Sequence, residues 1–280
     1  KVSVEIGKYA EQANGSCMVQ CGETVVMTNV TLAAKPRDGI DFFPLGVDFE
    51  EKMYSVGKIP GGFKKREGRA SDKAILTSRL IDRPIRPLFP KGFLNDVSVI
   101  CTAMSVEPDI QPEVYAMMGS SIALSISDIP FAGPTGSVVV GYVDGEYIIN
   151  PTVEQREKSE MHVTLAGTKE KIVMIEAGAN EIPEDKMIEA IYAAHAVNQQ
   201  VIEFIDKIVA EVGKEKHSYT SCAIPEELFA AIREIVPPAE MEVVMFAEQK
   251  QVREDRIREL KDKLAEAFAD NAEWLPLIDE

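Results

Sequence analysis

Long apolar runs are missing from this 280-residue chain, and their absence excludes one class of protein. No stretch of eighteen or more apolar residues occurs, so the sequence predicts no membrane-spanning helix. The first five residues also lack the apolar core of a secretory signal peptide. Because the chain starts with Lys1 rather than Met, we expect that further residues precede it. With 45% hydrophobic and 27% charged residues, the composition predicts a soluble globular protein of the cytoplasm.

Cysteine and histidine are scarce, which argues against a metal centre or a nucleophilic site built from them. Cys17 and Cys21 lie four residues apart, but no second pair and no nearby histidine complete a zinc site. We therefore predict reduced thiols and no metal-binding residue. No Ser-His-Asp or Cys-His order suggests nucleophilic catalysis. His195 lies on an apolar helical stripe, which favours a packed side chain over a base.

One stretch is basic in a chain whose formal net charge is −16. Ten lysines and arginines but only three acids lie between Gly57 and Phe93, a local charge of about +7. Such a patch attracts phosphate backbones. Glycines and a proline flank its densest part and predict an exposed loop. A plain solvated loop is the alternative, since short basic runs are common.

The candidate RNA-binding residues are one aromatic side chain, on which a base can stack, and the four cations that follow it. These residues are Phe63, Lys64, Lys65, Arg66 and Arg69. Three further arginines, Arg79, Arg83 and Arg86, lie towards the end of the next predicted helix. For them we favour structural or interface pairing, with RNA contact as the alternative.

This stretch resembles the first catalytic-core repeat of the bacterial polynucleotide phosphorylase family. The family's loop has the form Gly-(Ser)-Phe-Phe-Arg-Arg-Glu-Gly-Arg. The segment after it, Arg-Leu-Ile-Asp-Arg-Pro-Ile-Arg-Pro-Leu-Phe-Pro, is reproduced here by Arg79 to Pro90. Two residues depart from the pattern, because Lys64 replaces the second Phe and Lys65 the first Arg. Lysine keeps the charge but loses the forked donor geometry of arginine, and one stacking face is lost.

The resemblance implies a fold, an activity and partners. The fold is an α+β RNase PH-like core domain followed by a small all-α domain. The activity is phosphorolytic 3′→5′ exoribonuclease and polyribonucleotide nucleotidyltransferase, in which inorganic phosphate cleaves RNA and releases nucleoside diphosphates. The partners are single-stranded RNA, two further copies in a homotrimer and other RNA-decay proteins.

The same resemblance implies that the chemistry lies elsewhere, so we assign no catalytic residue to these 280 residues. In the family the phosphate-binding serines and the aspartates that bind Mg²⁺ or Mn²⁺ belong to a second core repeat. We expect that repeat, and the C-terminal KH and S1-type RNA-binding modules, to lie outside these 280 residues. The alternative function of the isolated chain is therefore a non-catalytic RNA-binding and assembly module.

Apolar spacing predicts the elements of the core domain, residues 1–212. Alternation from Val2 to Phe49 predicts about four strands, and Asp144-Gly145 predicts a hairpin. Helices are predicted over 111–127 and 184–212, and a stripe of small residues in the first of these allows a close approach to a neighbouring element. A shorter helix is capped by Ser71. We expect Ile75, Leu76, Leu80 and Ile81 to form its apolar face and Pro84 to end it.

The pattern changes after Gly213, where residues 213–280 predict the all-helical domain. Residues 214–221 are expected to form a linker, and helices are predicted over 225–236 and 239–271. From Pro225 to Glu280 there are fifteen acids and seven bases. This surplus of acids makes direct binding of a phosphate backbone by this part unfavourable.

Overall fold

The computed structural model describes residues 1–37, 39–63, 65–219, 224–271 and 273–278. They divide into two compact units, Lys1–Thr220 and Ser221–Glu280. The first unit contains two sheets and four α-helices, and the described part of the second contains helices without strands. The α+β class with a helical segment after the core is thereby confirmed. None of the described helices is long and apolar enough to cross a membrane.

The first sheet has five strands in the order β1-β2-β3-β5-β4. Only β4 and β5 pair in parallel, and helix α1 (Asp72–Ile85) makes the crossover between them. Alternate residues of β2, β3 and most of β5 are buried, as expected for a sheet with one face against a core. The strands are β1 (Val2–Ile6), β2 (Gly15–Cys21), β3 (Thr24–Leu32), β4 (Leu45–Glu51) and β5 (Val97–Ser105).

The second sheet has four antiparallel strands in the order β7-β6-β8-β9. Its first hairpin turns at Asp144 and Gly145, where φ is 51° and 86°. Positive φ at both central residues is typical of the tight two-residue hairpin turn, so the predicted hairpin is confirmed. The strands are β6 (Gly136–Val143), β7 (Glu146–Ile149), β8 (Met161–Gly167) and β9 (Ile172–Ala179).

Helix α2 (Pro112–Ile126) is the central element of the first unit. All of its residues except Glu113 are buried, because it packs against β2, β3, β5 and β6. A Cβ at Gly119 would lie 2.5 Å from Thr28 Oγ1, so the small-residue stripe does allow the close approach expected of it. Helix α4 (Glu184–Val212) covers the second sheet and buries Ala190 and Ala194 there.

A short helix, α3 (Val153–Lys158), lies between α2 and α4 in the chain and is not predicted from the sequence. Its signal was present, because Thr152 and Gln155 have the spacing of a capping box. The Thr152 hydroxyl accepts the Gln155 amide, and the Gln155 side chain accepts the Thr152 amide at 3.0 Å. Only six residues are helical, too few for an apolar period to be recognised.

Helix α1 is capped as predicted, but two of the four residues of its predicted apolar face, Ile75 and Leu76, are not part of the core. The Ser71 hydroxyl accepts a hydrogen bond from the Ala74 amide at 3.1 Å. Ile75 and Leu76 are 50% and 65% exposed. Ile81 is buried as predicted, and the other buried residues of the helix are Ala74, Thr77, Pro84 and Ile85. This side of the helix contacts β4 and the core.

Pro84 does not end α1, which is a second correction. The helix continues to Ile85 and passes into a 3₁₀ turn, Arg86–Leu88. Proline lacks an amide hydrogen, so the helix loses one bond there. The ladder resumes directly, because the Arg86 amide donates to the Asp82 carbonyl, and Pro84 is itself buried.

The described part of the second unit has three α-helices rather than the two predicted. They are α5 (Glu226–Ile235), α6 (Pro238–Met245) and α7 (Lys250–Ala267). In one straight helix Val244 and Leu260 would be about 24 Å apart. In separate helices they share an apolar cluster with Leu228 and Phe268. Packing of this cluster therefore explains the break between α6 and α7. The sequence does not indicate this break, because it has neither Gly nor Pro between the two helices.

The segment expected to be a linker packs on the first unit instead. We name residues 213–219 the strap. Its backbone amides at Lys214 and His217 donate to the carbonyls of Ile126 (3.0 Å) and Asp128 (2.6 Å). The Tyr219 ring packs edge-on against Phe93. The first unit consequently runs beyond residue 212, where the sequence places the end of the core domain, to Thr220.

Lys216 is the main attachment of the strap. Its ammonium group donates to the carbonyls of Leu124 and Ser125 at 3.0 Å and of Ser127 at 2.7 Å. The last carbonyls of a helix have no partner within the helix, so the ammonium group satisfies the end of α2. Partial burial lowers the pKa of Lys216.

We predict that Lys216→Met loosens the end of α2. Loss of three charge-assisted hydrogen bonds at a half-exposed site costs about 1–2 kcal/mol. Amide hydrogen exchange at Ser125 to Ser127 is then roughly tenfold faster. Lys207→Met, on the exposed face of α4, is the matched control and leaves this exchange unchanged. Unchanged exchange in Lys216→Met would mean that the strap is held without its lysine.

Candidate nucleic-acid interface

The basic loop, residues 58–70, starts from a fixed base. A 3₁₀ helix, Met53–Val56, precedes it. This helix is held to the first sheet, because the Ser55 carbonyl accepts the Val106 amide at 3.0 Å. Gly57 then reverses the chain with φ of 70°, and the Lys58 amide donates back to Met53. The loop therefore leaves the core in a defined direction.

A tight turn forms the tip of the loop. The Lys65 amide donates to the Gly62 carbonyl at 2.9 Å, and Lys65 has a left-handed φ of 51°. Phe63 is 103% exposed, so its ring is fully available for stacking. The glycines at 61, 62 and 68 lie outside the left-handed region and have no neighbour that a Cβ would meet. Gly57 and Lys65, rather than these three, have the unusual conformations.

The cations of the loop are not neutralised by the part of the chain that the structure describes. Lys58, Lys65, Arg66 and Arg69 are exposed, and none of them forms an ion pair or side-chain hydrogen bond with a described residue. Lys64 lies outside the described residues. Their charge is therefore directed to solvent and available to an anionic partner.

The arginines of α1 and the turn after it divide into two groups. Arg83 donates to the Glu176 carboxylate at 2.5 Å and to the Ile175 carbonyl at 3.4 Å, linking α1 to β9. Arg86 binds both carboxylate oxygens of Asp82, at 3.0 and 2.7 Å, and the Leu45 carbonyl. Arg79 is exposed and makes no such bond within the described ranges. Arg79 alone thus resembles the loop cations in having a free guanidinium.

A cleft of about 280 Å³ lies at the foot of the loop beside Arg69. Two of the three acids that line it lie near a lysine. Lys52 lies 3.1 Å from Glu50, and Lys73 lies 3.6 Å from Glu51. Because charges of both signs line this cleft, it is a poor site for a phosphate, and the uncompensated positive surface is the loop itself.

Metal-ligating side chains are not grouped, and two of the thiols are buried, in the part of the chain that the structure describes. They contain no group of three or more His, Cys, Asp or Glu placed to hold a metal ion. Cys17, Cys21 and Cys101 are free thiols, and Cys222 lies outside the described ranges. Burial raises the pKa of the thiols of Cys17 and Cys101, which makes them unreactive. His195 is half-buried, with Nε2 3.0 Å from Gln199 Nε2.

Comparison with known families identifies the fold. Residues 1–130 match domain 1 of the 3′ exoribonuclease family, and residues 133–197 match its domain 2. The chain belongs to the 3′ exoribonuclease family. The family's domain 1 coincides with the first sheet, α1 and α2, and its domain 2 with the second sheet and the start of α4. The basic loop thus lies within domain 1.

Individual relatives narrow the comparison. Polyribonucleotide nucleotidyltransferase of Lachnoclostridium phytofermentans is 61% identical over 280 residues, which is 100% of this chain and 40% of that protein. Its counterpart in Clostridioides difficile is 59% identical over 261 residues, 92% of this chain and 37% of that protein. These matches confirm the resemblance drawn from the sequence. The chain spans about 40% of the length of these curated relatives.

A solved member of the fold is more distant. Rice (Oryza sativa) Rrp46 superposes with a TM-score of 0.62 at 15% identity, covering 75% of this chain and 94% of that one. This likeness supports the fold alone.

We predict that Arg66→Ala and Arg69→Ala each weaken binding of single-stranded RNA without changing sequence preference. Each removed phosphate contact flattens the slope of log K against log salt by about 0.7. The measurement is RNA affinity at several salt concentrations. Arg256→Ala, which removes an exposed charge from α7, is the matched control. Slopes equal to the parent's in both loop variants would leave the loop an ordinary solvated turn.

Phe63→Ala tests the stacking contribution separately. If a base stacks on the ring, the substitution costs about 1–3 kcal/mol of binding free energy. The salt slope stays as in the parent, because no charge is lost. Phe42→Ala removes another ring, 63% exposed, from outside the loop and leaves affinity unchanged. Equal affinities in the two variants would show that Phe63 contacts no base.

Proposed function

We propose that this chain is part of a phosphorolytic 3′→5′ exoribonuclease and polyribonucleotide nucleotidyltransferase. It contributes the loop that captures RNA and part of the scaffold of a homotrimer. The observation that carries the proposal is a projecting loop with a fully exposed Phe63 and with described cations that have no partner among the described residues. This loop belongs to a chain of net charge −16. The names of the relatives support the activity.

The loop suits single-stranded RNA for two reasons. Its lysines and arginines meet the phosphates of a flexible backbone, and Phe63 meets an unpaired base. The acidic surplus elsewhere repels the same backbone and so directs RNA to the loop. In a trimer, three copies of the loop around one axis would concentrate positive potential at a single opening.

The chemistry is placed outside these residues. In phosphorolysis, inorganic phosphate attacks the last phosphodiester of the RNA 3′ end and a nucleoside diphosphate leaves. Fixed cations, amides or a divalent ion must neutralise the charge that develops. The described residues do not fit a Mg²⁺ or Mn²⁺ site, since no donor cluster is present among them. Their role is capture and delivery of the RNA, in the cytoplasm and alongside other RNA-decay proteins.

We predict that the isolated 280-residue chain binds RNA but neither shortens it with phosphate nor polymerises nucleoside diphosphates. The assay measures release of nucleoside diphosphate from RNA in phosphate and Mg²⁺. Binding without turnover corresponds to the non-catalytic RNA-binding and assembly module. Turnover by a pure sample would place the active site within this chain and contradict the proposal.

A further inference from the structure

We propose that Glu67 is a positioning residue of the basic loop, whose carboxylate holds the loop closed at its base while leaving the cations free for RNA. This inference rests on the proposed RNA-binding function. It concerns a residue that would not itself contact RNA. Its substitution therefore acts on RNA binding through the geometry of the loop.

The contact that carries the inference joins the two ends of the loop. Glu67 Oε1 accepts a hydrogen bond from the Met53 amide at 2.9 Å. Met53 begins the 3₁₀ helix that is anchored to Val106 through Ser55. The outgoing and returning arms are thus connected across a separation of fourteen residues. A carboxylate acceptor makes a stronger hydrogen bond to an amide than a neutral oxygen does.

The Glu67 carboxylate bonds to a backbone amide and not to the neighbouring arginines. It is the only acid between Gly57 and Ala70, and Arg66 and Arg69 are close in sequence. Neither arginine forms an ion pair with it among the contacts of the described residues. The carboxylate is instead bound to a backbone amide at the foot of the loop. The hydrogen bond therefore holds the carboxylate at the foot of the loop, where its negative charge offsets only part of the positive charge of the loop.

Closure at the base also limits the conformations of the tip. The turn between Gly62 and Lys65 contains one internal backbone hydrogen bond, and Lys65 adopts the left-handed region that non-glycine residues rarely occupy. If the arms separate, the tip samples more conformations. RNA binding must then order it, which lowers affinity.

Two substitutions of Glu67 separate positioning from charge. Loss of the negative charge raises RNA affinity, whereas loss of the hydrogen bond to Met53 lowers it. Glu67→Gln removes the negative charge but keeps a side-chain oxygen for the Met53 amide. Glu67→Ala removes both. If charge alone matters, both variants bind RNA more tightly, and to the same degree. If Glu67 positions the loop, the Gln variant binds at least as tightly as the parent, whereas the Ala variant binds about three- to tenfold more weakly than the Gln variant.

The experiment uses the 280-residue chain, single-stranded RNA at several salt concentrations, and amide hydrogen exchange of Met53. Exchange at Met53 is faster in the Ala variant and close to the parent's in the Gln variant. Glu67→Asp, which keeps the charge but is one methylene shorter, behaves like Ala in exchange. Equal RNA affinities and equal Met53 exchange in the Ala and Gln variants would overturn the positioning role.

Arg66→Ala and Arg69→Ala, measured in the same series, distinguish this failure from failure of the proposed function. If both arginine variants bind RNA as the parent does, the loop is not an RNA site and the positioning role falls with it. If they bind more weakly while the Glu67 variants do not differ, the RNA site stands and only the role of Glu67 is wrong. Circular dichroism of each variant confirms that the fold is retained.

Discussion

Burial of all but one residue of α2 is the constraint on which the first unit depends. A helix enclosed by β2, β3, β5 and β6 needs small residues where strands approach it, and Gly119 meets this requirement against Thr28. It also needs donors for its last carbonyls, since water does not reach buried groups. The Lys216 ammonium supplies them. Core packing and the path of the strap are therefore two consequences of one buried helix.

The same core fixes the basic loop in space. The loop leaves after β4, which is a strand of the first sheet, and returns to the start of α1, which packs on β4. Arg83 and Arg86 strengthen this support by bonding to Glu176, Asp82 and a β4 carbonyl. The arginines of this region thus have two different roles. Some hold the scaffold, and those of the loop remain exposed to an incoming polyanion.

Local signals were sufficient for much of the fold. The bounds of α4 follow from its apolar spacing and from Pro183 before its first turn, and the turn at Asp144-Gly145 follows from its two residue types. Longer-range features were not accessible. The break between α6 and α7 depends on a cluster that joins Leu228 to Phe268. In α1, spacing alone did not show which of two apolar faces meets the core.

For the candidate site, composition indicated a charged exposed loop. It did not indicate which of the cations in this region are paired with acids in the folded protein. Whether a cation is free depends on which acids lie within reach in space. Arg83 finds its partner at Glu176, 93 residues away in sequence, and Glu67 bonds to a backbone amide rather than to its arginine neighbours. No regular spacing in the sequence predicts either of these two contacts.

Photochemical cross-linking tests the central claim, that this loop is where RNA binds, most directly. Single-stranded RNA carrying 4-thiouridine is irradiated with the 280-residue chain, and the attached peptides are identified by mass spectrometry. The account predicts cross-links centred on Phe63 and its neighbours in residues 58–70, and none in α5 to α7. Cross-links confined to the helical unit, with the loop unlabelled, would contradict it.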